Sequence, residues 1–116
     1  MSDLFPVLHD DDDLLVVDKP AGLVCHPTKH GEMSSLVGRV RLYLGHAEGR
    51  LVNRLDRETS GLVVIAKSAA VAGDMGRLFS GHAVRKSYWA IVDGHVVPDV
   101  LVMESALGHD DDSPVA

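Results

Sequence analysis

The sequence predicts an α+β fold, a mixed, mainly antiparallel sheet with flanking helices. Three observations carry this. Short apolar runs of strand length end at Gly, Pro or Asp-Gly turn signals. Two serines each precede apolar residues at helical spacing. The order of segments has hairpin-like steps and no internal repeat or low-complexity linker. With 116 residues, the chain suits one domain with one modest core.

The elements follow in order. The run "LLVVDKP" (Leu14 to Pro20) reads as a strand entering a turn, because Pro20 sets φ and Gly22 permits a positive φ. "GLVCHP" resumes an extended segment to Pro27, and the two together predict a pair of strands around a tight turn. "PTKHGEM" is polar and reads as a loop. Ser34 or Ser35 caps a helix carrying Leu36, Val37, Val40 and Leu44, with Arg39 and Arg41 on its more exposed faces and Gly45 at its end. "LVN" (Leu51 to Asn53) is extended. "LVVIA" (Leu62 to Ala66) lacks polar alternation and predicts a strand covered on both faces. Ser68 caps a second helix with Val71, Met75, Leu78 and Phe79 on its apolar side, although Gly73 and Gly76 weaken it. "RKSYWAIV" (Arg85 to Val92) alternates like a strand, Asp93-Gly94 turns, and "VLVME" (Val100 to Glu104) suits one more strand. The end, "LGHDDDSPVA", reads as a frayed tail or as part of a loop.

No apolar run approaches the ~20 residues of a membrane helix, so no membrane partner is expected. The acidic start lacks the basic region of a signal peptide, and the single cysteine, Cys25, forms no internal disulfide. Both fit a cytoplasmic protein. The formal charge of −6 hides its distribution. Residues 1–18 carry −6, residues 19–88 carry +6 and residues 89–116 carry −6. A basic middle between acidic ends can supply phosphate contacts, or can be an unevenly charged solvated surface.

The chemistry concentrates in "VNRLDRETSG" (Val52 to Gly61). Asp56 sits among Arg54, Arg57 and Glu58 at the mouth of the most apolar strand. A guanidinium approaching its carboxylate would favour the ionised form, and an ionised Asp acts as a nucleophile or a base. Thr59 and Ser60 can bond nearby backbone, and Gly61 allows a tight entry to the strand. The residues alone also suit a salt-bridged surface turn. His9 with Asp10 to Asp13 lacks a calcium-loop spacing, and Cys25, His26 and His30 lack a second ligand pair for zinc, so no metal is expected. Asp56 and Glu58 are too local for the two carboxylates of a glycosidase.

The residue order is more specific. "RLDRETSGLVVIAKS" resembles the signature of the RluA family of pseudouridine synthases: Arg-Leu-Asp, two variable residues, Thr-Ser-Gly, an aliphatic run, then Ala-Lys. Arg54, Leu55, Asp56, Thr59, Ser60, Gly61, Leu62 to Ile65, Ala66 and Lys67 match it. "DKPAGLVCHP" is similar to the family's first hairpin, at Asp18, Lys19, Pro20, Gly22, His26 and Pro27. "KSYWAIVDG" is similar to its Lys-x-Tyr-x-Ala segment, at Lys86, Tyr88 and Ala90. The resemblance covers about residues 13–110, with Asn53 standing where members often have His.

The resemblance implies an enzyme that isomerises uridine to pseudouridine in ribosomal or transfer RNA without a cofactor or metal. Asp56 matches the catalytic acid, which attacks C1′ or removes a C2′ proton. Arg54 matches an arginine that holds the flipped nucleotide, and Tyr88 a tyrosine that stacks on the base; Arg57 suits local charge balance or a phosphate. Lys19 and Lys67 suit structural roles. Family domains continue into a Gly-Arg-x-His-Gln-Ile-Arg-like motif whose basic residue pairs with the acid. Residues 1–116 therefore read as a partial pseudouridine synthase catalytic domain, expected to be inactive or nearly so alone. An incomplete sheet leaves an edge for self-association. The competing readings are a non-catalytic RNA-binding remnant and a protein-interaction module.

Overall fold

A computed structural model describes residues 4–26, 31–46, 48–97, 99–100 and 102. The chain divides into two units, Met1–Lys86 and Ser87–Ala116. The first unit contains strands β1 (Val7–Asp10), β2 (Leu14–Lys19), β3 (Arg50–Leu51) and β4 (Gly61–Ala66). It also contains a 3₁₀ turn (Glu32–Ser34) and helices α1 (Leu36–Leu44) and α2 (Ala69–Ser80). The strands form one antiparallel sheet in the order β1-β2-β4-β3. This is the α+β architecture expected, with the two mutually paired strands β2 and β4 at its centre.

Strand alternation decides which residues enter the core. In β2, Leu15, Val17 and Lys19 are buried while Leu14, Val16 and Asp18 are half-buried. The register sets Leu15 opposite Ile65, Val17 opposite Val63 and Lys19 opposite Gly61. Val63 and Ile65 lie on the same buried face, joined there by Leu36 and Val40 of α1 and by Phe5, Leu23 and Cys25. Leu4, Tyr43, Leu44, Leu51 and Leu55 pack around this cluster.

β4 is not covered on both faces as its composition suggests. Leu62 is exposed and Val64 is half-buried, so the strand has a closed face and a more open one. An apolar run reports hydrophobicity without reporting what packs against it.

Both helices start where serine chemistry places them. The side chain of Ser35 accepts the Gly38 amide at 3.0 Å, and that of Ser68 accepts the Val71 amide at 3.2 Å. Gly45 closes α1 at φ 79°, a left-handed conformation that suits glycine, and its amide reaches the Arg41 carbonyl. Arg39 is not on an open face. It is half-buried and donates to the Met33 carbonyl at 2.8 Å and the Leu4 carbonyl at 2.9 Å. α2 forms through Gly73 and Gly76 and has no fully buried residue.

Two strand expectations give way. Leu23 to His26 does not pair with β2; Val24 makes only an isolated parallel bridge to Ser35. The neighbours of β2 are β1 and β4, so no position beside it remains for this segment. In the second unit, residues up to Val92 adopt no regular structure, with Trp89 and Ile91 fully exposed. A strand exists only through its ladder, and no described segment pairs with this one. Asp93-Gly94 forms a bend, with Gly94 at φ 82°. Pro27, His30 and the tail from residue 103 onward lie outside the described residues, as does most of the strand expected at 100–104.

Candidate active site

The stretch from Val52 to Gly61 links β3 to β4, and its backbone is tied down at each end. After Leu51, the Val52 amide still reaches the Val64 carbonyl at 2.8 Å. Asn53 then continues the ladder with its side chain. Its Nδ2 donates to the Leu62 carbonyl at 3.2 Å, and its Oδ1 accepts the Val64 amide at 2.8 Å. An amide side chain carries both a donor and an acceptor, so it substitutes for one peptide unit.

Leu55 anchors the loop in the core. Its amide and carbonyl both meet the Cys25 thiol, at 3.5 and 3.3 Å. The Thr59 amide returns to the Asp56 carbonyl at 3.0 Å, closing a turn over Arg57 and Glu58. The turn is thus closed by the Thr59 backbone rather than by its hydroxyl. Gly61 opens β4 at φ 135°, a conformation L-residues rarely adopt.

A buried cation lies beneath this loop. Lys19 is 0% exposed, and its Nζ donates to the carbonyls of Pro20 at 3.0 Å, Leu23 at 2.6 Å and Arg57 at 3.1 Å. Burial lowers its pKa, while charge on Cys25, Glu58 and Asp56 acts in the opposite direction. The family resemblance implies a structural role for Lys19. Strand parity was the available signal for its burial, since Lys19 shares its face with Leu15 and Val17.

The Asp56 side chain is exposed, as are those of Arg54, Arg57 and Glu58. Neither arginine forms an ion pair with Asp56 among the described residues. Arg57 instead reaches Glu58, Nε to Oε1 at 3.2 Å. The arrangement therefore presents a carboxylate to solvent on a loop whose backbone is held from below. Ser60 is exposed beside it and Thr59 is half-buried. Tyr88, in the second unit, is 63% exposed.

Lys67, at the end of the aliphatic run, bonds the Asp10 carboxylate, which also accepts the Tyr43 hydroxyl at 2.7 Å. These bonds hold the Asp10 carboxyl below the usual carboxylate range, Lys67 first and Tyr43 second. The acidic run before β2 forms a turn. Asp11 Oδ1 accepts the amides of Asp13 at 2.8 Å and Leu14 at 2.7 Å, and Oδ2 meets His9 at 2.6 Å.

Comparison with known proteins gives this geometry a context. The family model described as RNA pseudouridylate synthase matches residues 13–113. The chain is 37% identical over 97 residues to a ribosomal large subunit pseudouridine synthase D of Zymomonas mobilis, covering 77% of this chain and 31% of that protein. It is 38% identical over 96 residues to RNA pseudouridine synthase 1 of Oryza sativa, covering 78% of this chain and 26% of that protein. Among solved structures, human RNA pseudouridylate synthase domain containing 4 superposes with a TM-score of 0.54 at 31% identity, covering 67% of this chain and 30% of that one. The chain thus spans about a third or less of the length of these relatives.

Proposed function

The chain belongs to the RNA pseudouridylate synthase family, in its RluA branch, and from that premise we propose that its gene product isomerises uridine to pseudouridine in ribosomal or transfer RNA, with Asp56 as the reacting carboxylate. The observation that carries this reading is the exposed Asp56 side chain on a loop whose flanking residues, Leu55 and Arg57, are bonded to Cys25 and Gly22 of the segment after β2. Catalytic groups are useful when their backbone is fixed and their functional atoms remain reachable.

In the reaction the N1–C1′ bond breaks and a C5–C1′ bond forms. C5 loses its proton to water and N1 gains one. The ionised Asp56 carboxylate either attacks C1′ or takes a proton from C2′; both need the charged form. The target nucleotide must leave its stack, at a cost of about a few kcal/mol. Arg54 is assigned to holding the flipped nucleotide, Tyr88 to stacking on the base and Arg57 to a phosphate. The +6 charge of residues 19–88 supports attraction to the RNA backbone. These 116 residues span a minor part of their relatives' length.

The test is Asp56→Asn in the gene product that carries this sequence. Uridine labelled with tritium at C5 releases the label on isomerisation. Turnover is expected to disappear while RNA affinity stays within about threefold. Near-normal tritium release by Asp56→Asn would refute the assignment.

A further inference from the structure

Strand β3 is two residues long and its neighbour β4 is six, so much of the β4 edge on that side depends on other partners. The Val52 amide adds one bond, to the Val64 carbonyl. Past that point the Val64 amide and the Leu62 carbonyl are both taken up by the Asn53 carboxamide, at 2.8 and 3.2 Å. A side chain with one donor and one acceptor thus stands in for a peptide unit of the ladder. The next residue, Arg54, is the first of the loop, and its side chain is exposed.

The two charged groups of the signature differ in how they are held. Asp56 is fixed from both sides. Leu55 meets the Cys25 thiol, the Arg57 carbonyl accepts the Gly22 amide and the Thr59 amide returns to the Asp56 carbonyl. Arg54 has less support. Its guanidinium makes no ion pair among the described residues. Its direction therefore follows from the backbone on either side, Asn53 before it and Leu55 after it.

We propose that Asn53 is a positioning residue for Arg54: its carboxamide, bonded to the Leu62 carbonyl and the Val64 amide, fixes the point where the chain leaves the sheet and so the reach of the Arg54 guanidinium. This rests on the reading of Arg54 as the residue that holds the flipped nucleotide. Holding one nucleotide needs a guanidinium in one place, and a displacement of about 1 Å is enough to cost on the order of 10²-fold in rate. Overall RNA affinity, summed over many phosphate contacts, depends little on the direction of one arginine.

The experiment is a double-mutant cycle in the gene product that carries this sequence: wild type, Asn53→Ala, Arg54→Ala and the two changes together. Unmodified ribosomal and transfer RNA transcripts labelled with tritium at uridine C5 are the probes, assayed well below the Tm of each variant. Asn53→Ala is expected to lower kcat on the order of 10²-fold, with KM within about twofold of wild type. Arg54→Ala is expected to lower kcat at least as much. A residue that acts through another adds nothing once that other is gone, so the double variant should match Arg54→Ala within about threefold. Normal kcat in Asn53→Ala, a rise in KM alone, or losses that multiply in the double variant overturn the proposal and leave the reading of Arg54 standing. Normal turnover by Arg54→Ala strikes that reading, and the proposal with it. If Asn53→Ala does not fold, Asn53→Ser enters the same cycle, because its hydroxyl keeps at most one of the two bonds. Failure of both to fold overturns the proposal, since the role would then be structural only.

Discussion

Lys19 and Arg57, one at the end of β2 and the other in the Asp56 loop, meet where the Lys19 ammonium donates to the Arg57 carbonyl at 3.1 Å. This bond joins the signature segment "RLDRETSG" to one of the two segments that support it, "DKPAG". It also explains why a lysine occupies a core-facing strand position. Burying a charge is costly, and three carbonyl acceptors offset part of that cost.

Asn53 is expected to hold the loop entrance. Asn53→Ala removes the bonds to the Leu62 carbonyl and the Val64 amide and leaves the latter without its partner. The cost should be about 1–3 kcal/mol. Urea unfolding measures it, and amide exchange at Val64 should accelerate. Unchanged exchange there would show that the side chain does not carry the ladder.

Gly49 is expected to tolerate no side chain. A Cβ there would lie 2.7 Å from Leu44 Cδ1 and 2.9 Å from Val40 Cγ1. The Leu44 methyl can rotate, but Val40 is buried and has little freedom to move. Gly49→Ala should therefore destabilise the protein by about 1–3 kcal/mol through overpacking. Thermal unfolding checks this, and an unchanged Tm would contradict the contact.

Asp10 is expected to make stability depend on acid pH. Its folded pKa is depressed, first by the bond from Lys67 and then by that from Tyr43. A depressed carboxylate contributes stability above its unfolded pKa, about 4, and loses it as pH falls through the lower folded value. The pair is partly solvated, so the contribution should be about 0.2–1 kcal/mol. The Tm gap between wild type and Asp10→Asn should be present at neutral pH and shrink as pH falls below about 4. A gap that persists at the lowest pH would assign it to packing instead.

Tyr88, under the proposed function, is expected to serve the flipped base. Base–aromatic stacking is worth roughly 1–3 kcal/mol. Tyr88→Ala should weaken both RNA binding and turnover, whereas Tyr88→Phe should keep most of the binding. Filter binding and tritium release separate the two. Equal losses in Tyr88→Ala and Tyr88→Phe would point to the hydroxyl rather than the ring.

The sequence by itself determined the local elements and the motif. β2, β4, α1 and α2 follow from apolar spacing, and Ser35, Ser68 and Gly45 mark their boundaries through cap chemistry acting within a few residues. Asp56, with its ordered neighbours, was legible as a candidate acid. Only the tertiary structure decided which groups hold it. Nothing local indicates that the Arg57 guanidinium turns to Glu58 while its carbonyl turns to Lys19, or that Cys25 meets Leu55. Nor does composition tell that Leu23 to His26 finds no strand partner among the described residues, or that β4 keeps an open face. Caps and periodicity are short-range. Burial and cross-chain hydrogen bonds depend on which distant segment occupies the neighbouring space, and here that is settled by the pairing of β2 with β4.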